Sequence, residues 1–182
     1  IMATYKDIKG FKVQGLSADP VPTVAGWTAG GNLSTAKGNT AGAGTQTAGI
    51  LFGGNSDTSG TKTGTTEEYN GSAWADGGAM GTARYMHAGT GTQTAALAFG
   101  GYVSSNTNAT EEYDGSSWTA GGNMSNTTRS RARGGTQTAG LAFGGLPSPG
   151  TSTDATEEYN GSSWTAGGTM GTGRYALGGS GT

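Results

Sequence analysis

Carboxylates are the first candidates for chemistry. They come as adjacent pairs, Glu67/Glu68, Glu111/Glu112 and Glu157/Glu158. Two carboxylates in one site can divide acid and base duties or hold a divalent ion. Each pair stands in the same setting, Thr-Glu-Glu-Tyr, which reads as a short strand. Neighbouring strand residues point to opposite faces, so the two members of a pair cannot converge on one substrate or ion. An architectural role is the expectation: one Glu per pair meets Arg84, Arg129 or Arg174, or a backbone donor. The single histidine, His87, has no cysteine to work with, because the chain has none. Thiolate chemistry and disulfides are therefore excluded. At the place of His87 the other copies carry Thr40, Arg131 and Leu177, so it reads as a strand residue without chemical duty. The double glycines, such as Gly100-Gly101, are followed by neither a helical pattern nor Lys-Ser/Thr, so they are not phosphate-binding loops. They read as places of close backbone approach. No catalytic residue, metal or cofactor is expected, and the chain reads as a non-enzyme.

The elements that position these residues repeat. Trp27, Trp74, Trp118 and Trp164 lie 47, 44 and 46 residues apart. Each is followed at a fixed offset by Leu33, Met80, Met124 or Met170. Phe52, Phe99 and Phe143 each precede a double glycine, and Tyr69, Tyr113 and Tyr159 each close a Glu-Glu-Tyr. Periodicity of this kind marks a repeat architecture. Glycine supplies 38 of 182 residues and hydrophobic residues only 32%, so the core must be thin and shared between copies.

Each copy reads as four short antiparallel strands. Strand a runs from about Arg84 toward Gly91, and strand b is Thr94–Phe99. Strand c is of the Thr110–Tyr113 type, and strand d carries the Trp. Asn70-Gly71, Asp114-Gly115 and Asn160-Gly161 between c and d are signals for a tight type I′ turn. All variation in length falls in the b–c loops, Asn55–Thr65, Tyr102–Ala109 and Leu146–Ala155. Variable loops on a constant scaffold are where recognition is commonly placed. The candidate binding residues there are Asp57, Lys62, Tyr102, Asn106, Asn108 and Asp154, a polar set with one aromatic that suits a saccharide or a protein surface. Charge is balanced at a net −2, with no basic patch for nucleic acid and no apolar run long enough to insert in a membrane.

The order Arg84, Leu97-Ala98-Phe99-Gly100-Gly101, Tyr113, Trp118, Met124 resembles a kelch repeat. The resemblance covers residues 26–182, as three full periods and a remnant. Two departures stand out: Thr-Glu-Glu replaces the usual apolar residues before the Tyr, and Thr128 stands where a basic residue is expected. The resemblance implies an all-β fold of β-propeller blades. Three periods fall short of the usual minimum of about four blades, so the propeller is expected to be incomplete, with further repeats past Thr182 or strands from neighbouring copies. The wording of the repeats, and the opening Met2-Ala3-Thr4-Tyr5-Lys6 with Leu16-Ser17-Ala18-Asp19-Pro20, resembles kelch-like structural proteins of marine bacteriophages. That likeness implies a virion protein on the particle exterior, a tail fibre or surface appendage for host attachment. It also implies that residues 1–25 anchor to other virion proteins, that the chain is a homo-oligomer, and that its partner is a host-surface glycan or protein. A cellular adhesin or carbohydrate-binding propeller is the alternative.

Overall fold

The computed structural model describes residues 29–56 and 60–181. The anchoring segment 1–25, Trp27 and Asp57 lie outside the described residues.

Among the described residues there is no helix. The strands are β1 (Lys37–Gly38), β2 (Ala41–Gly44), β3 (Gly49–Phe52), β4 (Asn55–Ser56), β5 (Thr61–Lys62), β6 (Thr66–Tyr69), β7 (Trp74–Gly77), β8 (Ala88–Thr92), β9 (Ala95–Phe99), β10 (Thr110–Tyr113), β11 (Trp118–Ala120), β12 (Ala132–Gly135), β13 (Gly140–Phe143), β14 (Thr156–Tyr159) and β15 (Trp164–Ala166). They form three four-stranded antiparallel blades, β2-β3-β6-β7, β8-β9-β10-β11 and β12-β13-β14-β15. A small sheet, β1-β4-β5, adds to the first b–c loop. The register repeats: Phe52 faces Thr66, Phe99 faces Thr110 and Phe143 faces Thr156. Among the described residues the arc of blades is not closed into a ring.

The core lies between blades. Phe52 packs on Trp118 of the second blade at 4.7 Å between ring centroids, and Phe99 packs on Trp164 of the third at 4.8 Å. Ile50, Phe52, Ala96, Ala98, Met80 and Tyr113 form one buried cluster. Leu97, Phe99, Ala142, Met124, Tyr159 and Trp164 form the next. Each such side chain contributes about 1.5–3 kcal/mol only when the neighbouring blade covers it, so the blades stabilise one another. The double glycines have positive φ at both residues, for example 65° and 99° at Gly100 and Gly101. A Cβ on Gly101 would stand 2.7 Å from that of His87. Only glycine combines that conformation with that approach.

Two sequence expectations need correction. Strand a starts later than expected: β8 begins at Ala88, and residues 84–87 form a turn before it. The central channel is lined by strand a of each blade, β2, β8 and β12, together with Gly179–Gly181, around a cavity of about 270 Å³. The c–d turns are not type I′, which needs positive φ at both central residues. Only the glycines are positive there, 95°, 94° and 91° at Gly71, Gly115 and Gly161. The side-chain oxygen of Asn70, Asp114 or Asn160 supplies the turn by accepting the N–H groups of the residues two and three further on. Those bonds hold the Asp114 carboxyl down at about 2.

Candidate functional site

The Glu pairs separate, as strand geometry requires. The first Glu of each pair turns toward the d–a crossover that precedes its own blade. Glu67 makes an ion pair with Lys37 at 2.7 Å and accepts the Ser34 N–H at 2.7 Å. Glu111 accepts Arg84 Nη2 at 2.8 Å and the Gly81 N–H at 2.6 Å. Glu157 accepts Arg131 Nη1 at 2.8 Å and the Ser125 N–H at 2.6 Å. All three carboxylates are buried. Burial opposes ionisation of Glu157, but Arg131, the Ser125 N–H and Asn126 outweigh it and hold the carboxyl below its ordinary value. Glu67 is held down in the same way, with Lys37 and Ser34 outweighing burial. The second Glu faces the following blade: the Tyr113 hydroxyl donates to Glu68 at 2.6 Å, and the Tyr159 hydroxyl donates to Glu112.

The cation in the third repeat is therefore not Arg129. Thr128 occupies the place of Arg84, and Arg131, three residues on, sends its guanidinium into the same space. Arg131 also holds the Gly144 carbonyl through Nε at 2.8 Å. Arg174 stands exposed and meets no Glu. In the second repeat the place of Arg131 is taken by His87, which lies just outside β8 rather than in it. His87 is buried against Phe52 at 5.6 Å, and neither ring nitrogen makes a hydrogen bond. Burial, with Arg84 and Arg133 adding positive charge, pushes its pKa down to about 3. It is a neutral packing residue at physiological pH. No group of three His, Cys, Asp or Glu among the described residues could hold a metal ion.

The d–a turns also build a feature without a sequence signal. Asn39, Met86, Ser130 and Ala176 occupy the same place in successive repeats, and all have left-handed φ of 50–54°. None is glycine. The N–H of Met86 donates to the Asn39 carbonyl at 3.0 Å, Ser130 to Met86 at 2.8 Å, and Ala176 to Ser130 at 2.9 Å. A thread of main-chain hydrogen bonds thus runs from repeat to repeat around the channel mouth. Non-glycine residues hold such φ only where their surroundings fix it.

Beside this thread, the b–c loops bring side chains together. Tyr85 and Tyr102 exchange a pair of backbone hydrogen bonds, at 3.2 and 2.9 Å, and their rings stack tilted at 5.4 Å. The Arg129 guanidinium lies over the Tyr102 ring at 5.7 Å and donates to Asn106 Oδ1 at 2.9 Å. Of the sequence candidates, Tyr102 is central to this cluster and half-buried. Asn106 is buried and spends its amide on the Leu146 carbonyl, and Asn108 donates to the Met124 carbonyl. Both asparagines brace the loops. Lys62 and Asp154 are exposed and stand apart from the cluster. Tyr85, Arg129 and the exposed Tyr175 share one place in successive repeats, so the mouth is ringed by two tyrosines and an arginine. A polar cavity of about 240 Å³, lined by Ser125, Asn126, Thr127, Thr128, Pro147 and Thr153, opens beside the third b–c loop.

No family model matches the chain, and no curated protein is significantly similar to it.

Proposed function

We propose that the chain is a non-enzymatic structural protein of a phage particle, a tail fibre or surface appendage, that recognises the host surface through the b–c loop face. The observation that carries this reading is the Tyr85–Tyr102–Arg129 stack. It is held on rigid blades beside loops that differ in length from copy to copy. Aromatic faces take the apolar face of a sugar ring, and a guanidinium fork takes carboxylate or sulfate groups. The kelch-like wording of the repeats supports the virion setting, with residues 1–25 as the attachment to the particle. A glycan array probed with the wild-type chain and with Tyr102→Ala tests recognition. Wild type is expected to retain a subset of glycans that the variant loses. Identical patterns for the two proteins, or no retained glycan, would sink the assignment to this face. Tyr175, 54% exposed on the same rim, equally suits a cellular adhesin. Mass spectrometry of purified particles separates that reading from the virion one.

A further inference from the structure

The contacts between blades recur as a fixed set, and one face carries half of the set without its complement. Between the first and second blades, Gln93 Nε2 donates to the Gly49 carbonyl at 3.1 Å and to the Tyr69 carbonyl at 2.8 Å. The Tyr113 hydroxyl donates to Glu68, and Trp118 Nε1 donates to Thr66 Oγ1 at 2.9 Å. Between the second and third blades, Gln137 donates to the Ala96 and Tyr113 carbonyls at 3.1 and 2.7 Å. The Tyr159 hydroxyl donates to Glu112, and Trp164 Nε1 donates to Thr110 Oγ1 at 2.9 Å. Under these bonds lie Ile50 with Phe52, and Leu97 with Phe99.

The third blade offers the same acceptors a third time: the Gly140 and Tyr159 carbonyls, the Glu158 carboxylate and the Thr156 hydroxyl. Glu158 is exposed, and among the described residues its carboxylate makes no hydrogen bond or ion pair. Below them Leu141 is 37% exposed, whereas Ile50 and Leu97, in the same place, are 2% and 0%. The matching donors, at the other end of the arc, meet none of these acceptors among the described residues. Gln46 is exposed, while its equivalents Gln93 and Gln137 are half-buried and bonded. The hydroxyl of Tyr69 and the indole N–H of Trp74 have no acceptor among the described residues.

We propose that the exposed face of the third blade is the docking surface for a second copy of this chain, entered by Gln46, Tyr69 and Trp74 of that copy's first blade. Both halves of the interface exist in one molecule, and both are already seen joined twice within it. In this register the Gly167–Gly168 turn lies against Tyr69 and Ser72 of the second copy, as Gly77–Gly78 lies against Tyr113 and Ser116. In the free chain Gly30–Gly31 holds that place, so docking displaces this short segment. The interface is head-to-tail, so it builds rings if the rotation closes and filaments if it does not.

Sedimentation velocity of the full chain, titrated through the micromolar range, tests the proposal. Wild type is expected to associate. Leu141→Arg on one face and Gln46→Arg on the other are each expected to abolish self-association, with far-UV circular dichroism unchanged because both side chains are exposed. Glu158→Gln and Tyr69→Phe should each weaken association about tenfold, the scale of one lost hydrogen bond to a charged group, and the double variant no further. The deciding sample is a mixture of the two arginine variants. Each keeps one intact face, so the mixture should form pairs and stop there. A monomeric wild type, association insensitive to both substitutions, or a mixture of folded variants that stays monomeric would each overturn the proposal.

Discussion

Acid should act on this fold first through His87. The ring is buried between the first and second blades against Phe52, with the positive charges of Arg84 and Arg133 acting on it. Its pKa falls from 6.5 to about 3 on folding. The sign follows directly. Between those values the unfolded chain binds a proton that the folded chain refuses, so stability is full above pH 6.5 and is lost as pH falls. At pH 5 the unfolded imidazole is charged and the folded one is not. The gap of about 1.5 pH units at about 1.36 kcal/mol each gives about 2 kcal/mol lost between pH 7 and pH 5. Glu67 and Glu157 barely contribute in this window, because both are held below 4.5 and lose their stabilisation only in more acid solution. The perturbation is His87→Leu, since the fourth repeat carries Leu177 in that place. Urea denaturation of both proteins at pH 7 and pH 5 gives the comparison. Wild type should lose about 2 kcal/mol more than the variant over this step. Equal losses in the two proteins would refute the neutral, buried histidine.

Two further outcomes are expected. Arg131→His alone leaves Glu157 buried without its cation and should cost about 3–5 kcal/mol in urea denaturation; adding Thr128→Arg recreates the Arg84/His87 arrangement of the second repeat and should recover at least half, and no recovery would show that the two placements of the guanidinium are not equivalent. Tyr113 and Tyr159 are pushed up to about 12 by burial, with Glu68 and Glu112 adding to the shift. The folded state thus favours the neutral phenols, and stability should fall as pH rises from 10 toward 12. Alkaline difference absorbance should show the Tyr113 and Tyr159 phenols ionising well above pH 10, with Glu68→Gln lowering the first of them, and their ionisation near pH 10 would contradict the inter-blade bonds.

Strands c and d could be read from the sequence because Thr-Glu-Glu-Tyr and the Trp recur in register, and a repeated core forces repeated residues. The double glycines were equally legible, since both positive φ and close approach demand glycine. The carboxylate partner in the third repeat was not. Spacing pointed to Arg129, one residue from the vacant basic place, but Arg131, immediately before β12, aims differently from Arg129 two residues earlier. Arg131 reaches Glu157 while Arg129 lies over Tyr102. The turns failed for a related reason: Asn-Gly fits type I′, yet the Asn oxygen made a side-chain bond do the work of the main chain. The loop asparagines looked available because they are polar and variable, whereas Asn106 and Asn108 satisfy carbonyls that the irregular loops leave open. The left-handed places of Asn39, Met86, Ser130 and Ala176 carry no common residue type, so nothing in the sequence marks them.

That last feature separates what joins the repeats at the mouth from what lines it. The thread itself is made of peptide groups, so the residue at each step is free to be an asparagine, a methionine, a serine or an alanine without loosening it. The same freedom extends one residue back, where Gly38, Tyr85, Arg129 and Tyr175 range from a bare glycine through two tyrosines to a charged arginine. A protein built this way can revise the chemistry of its opening one substitution at a time while the hoop beneath it stays intact. A surface that must follow a changing target needs that independence.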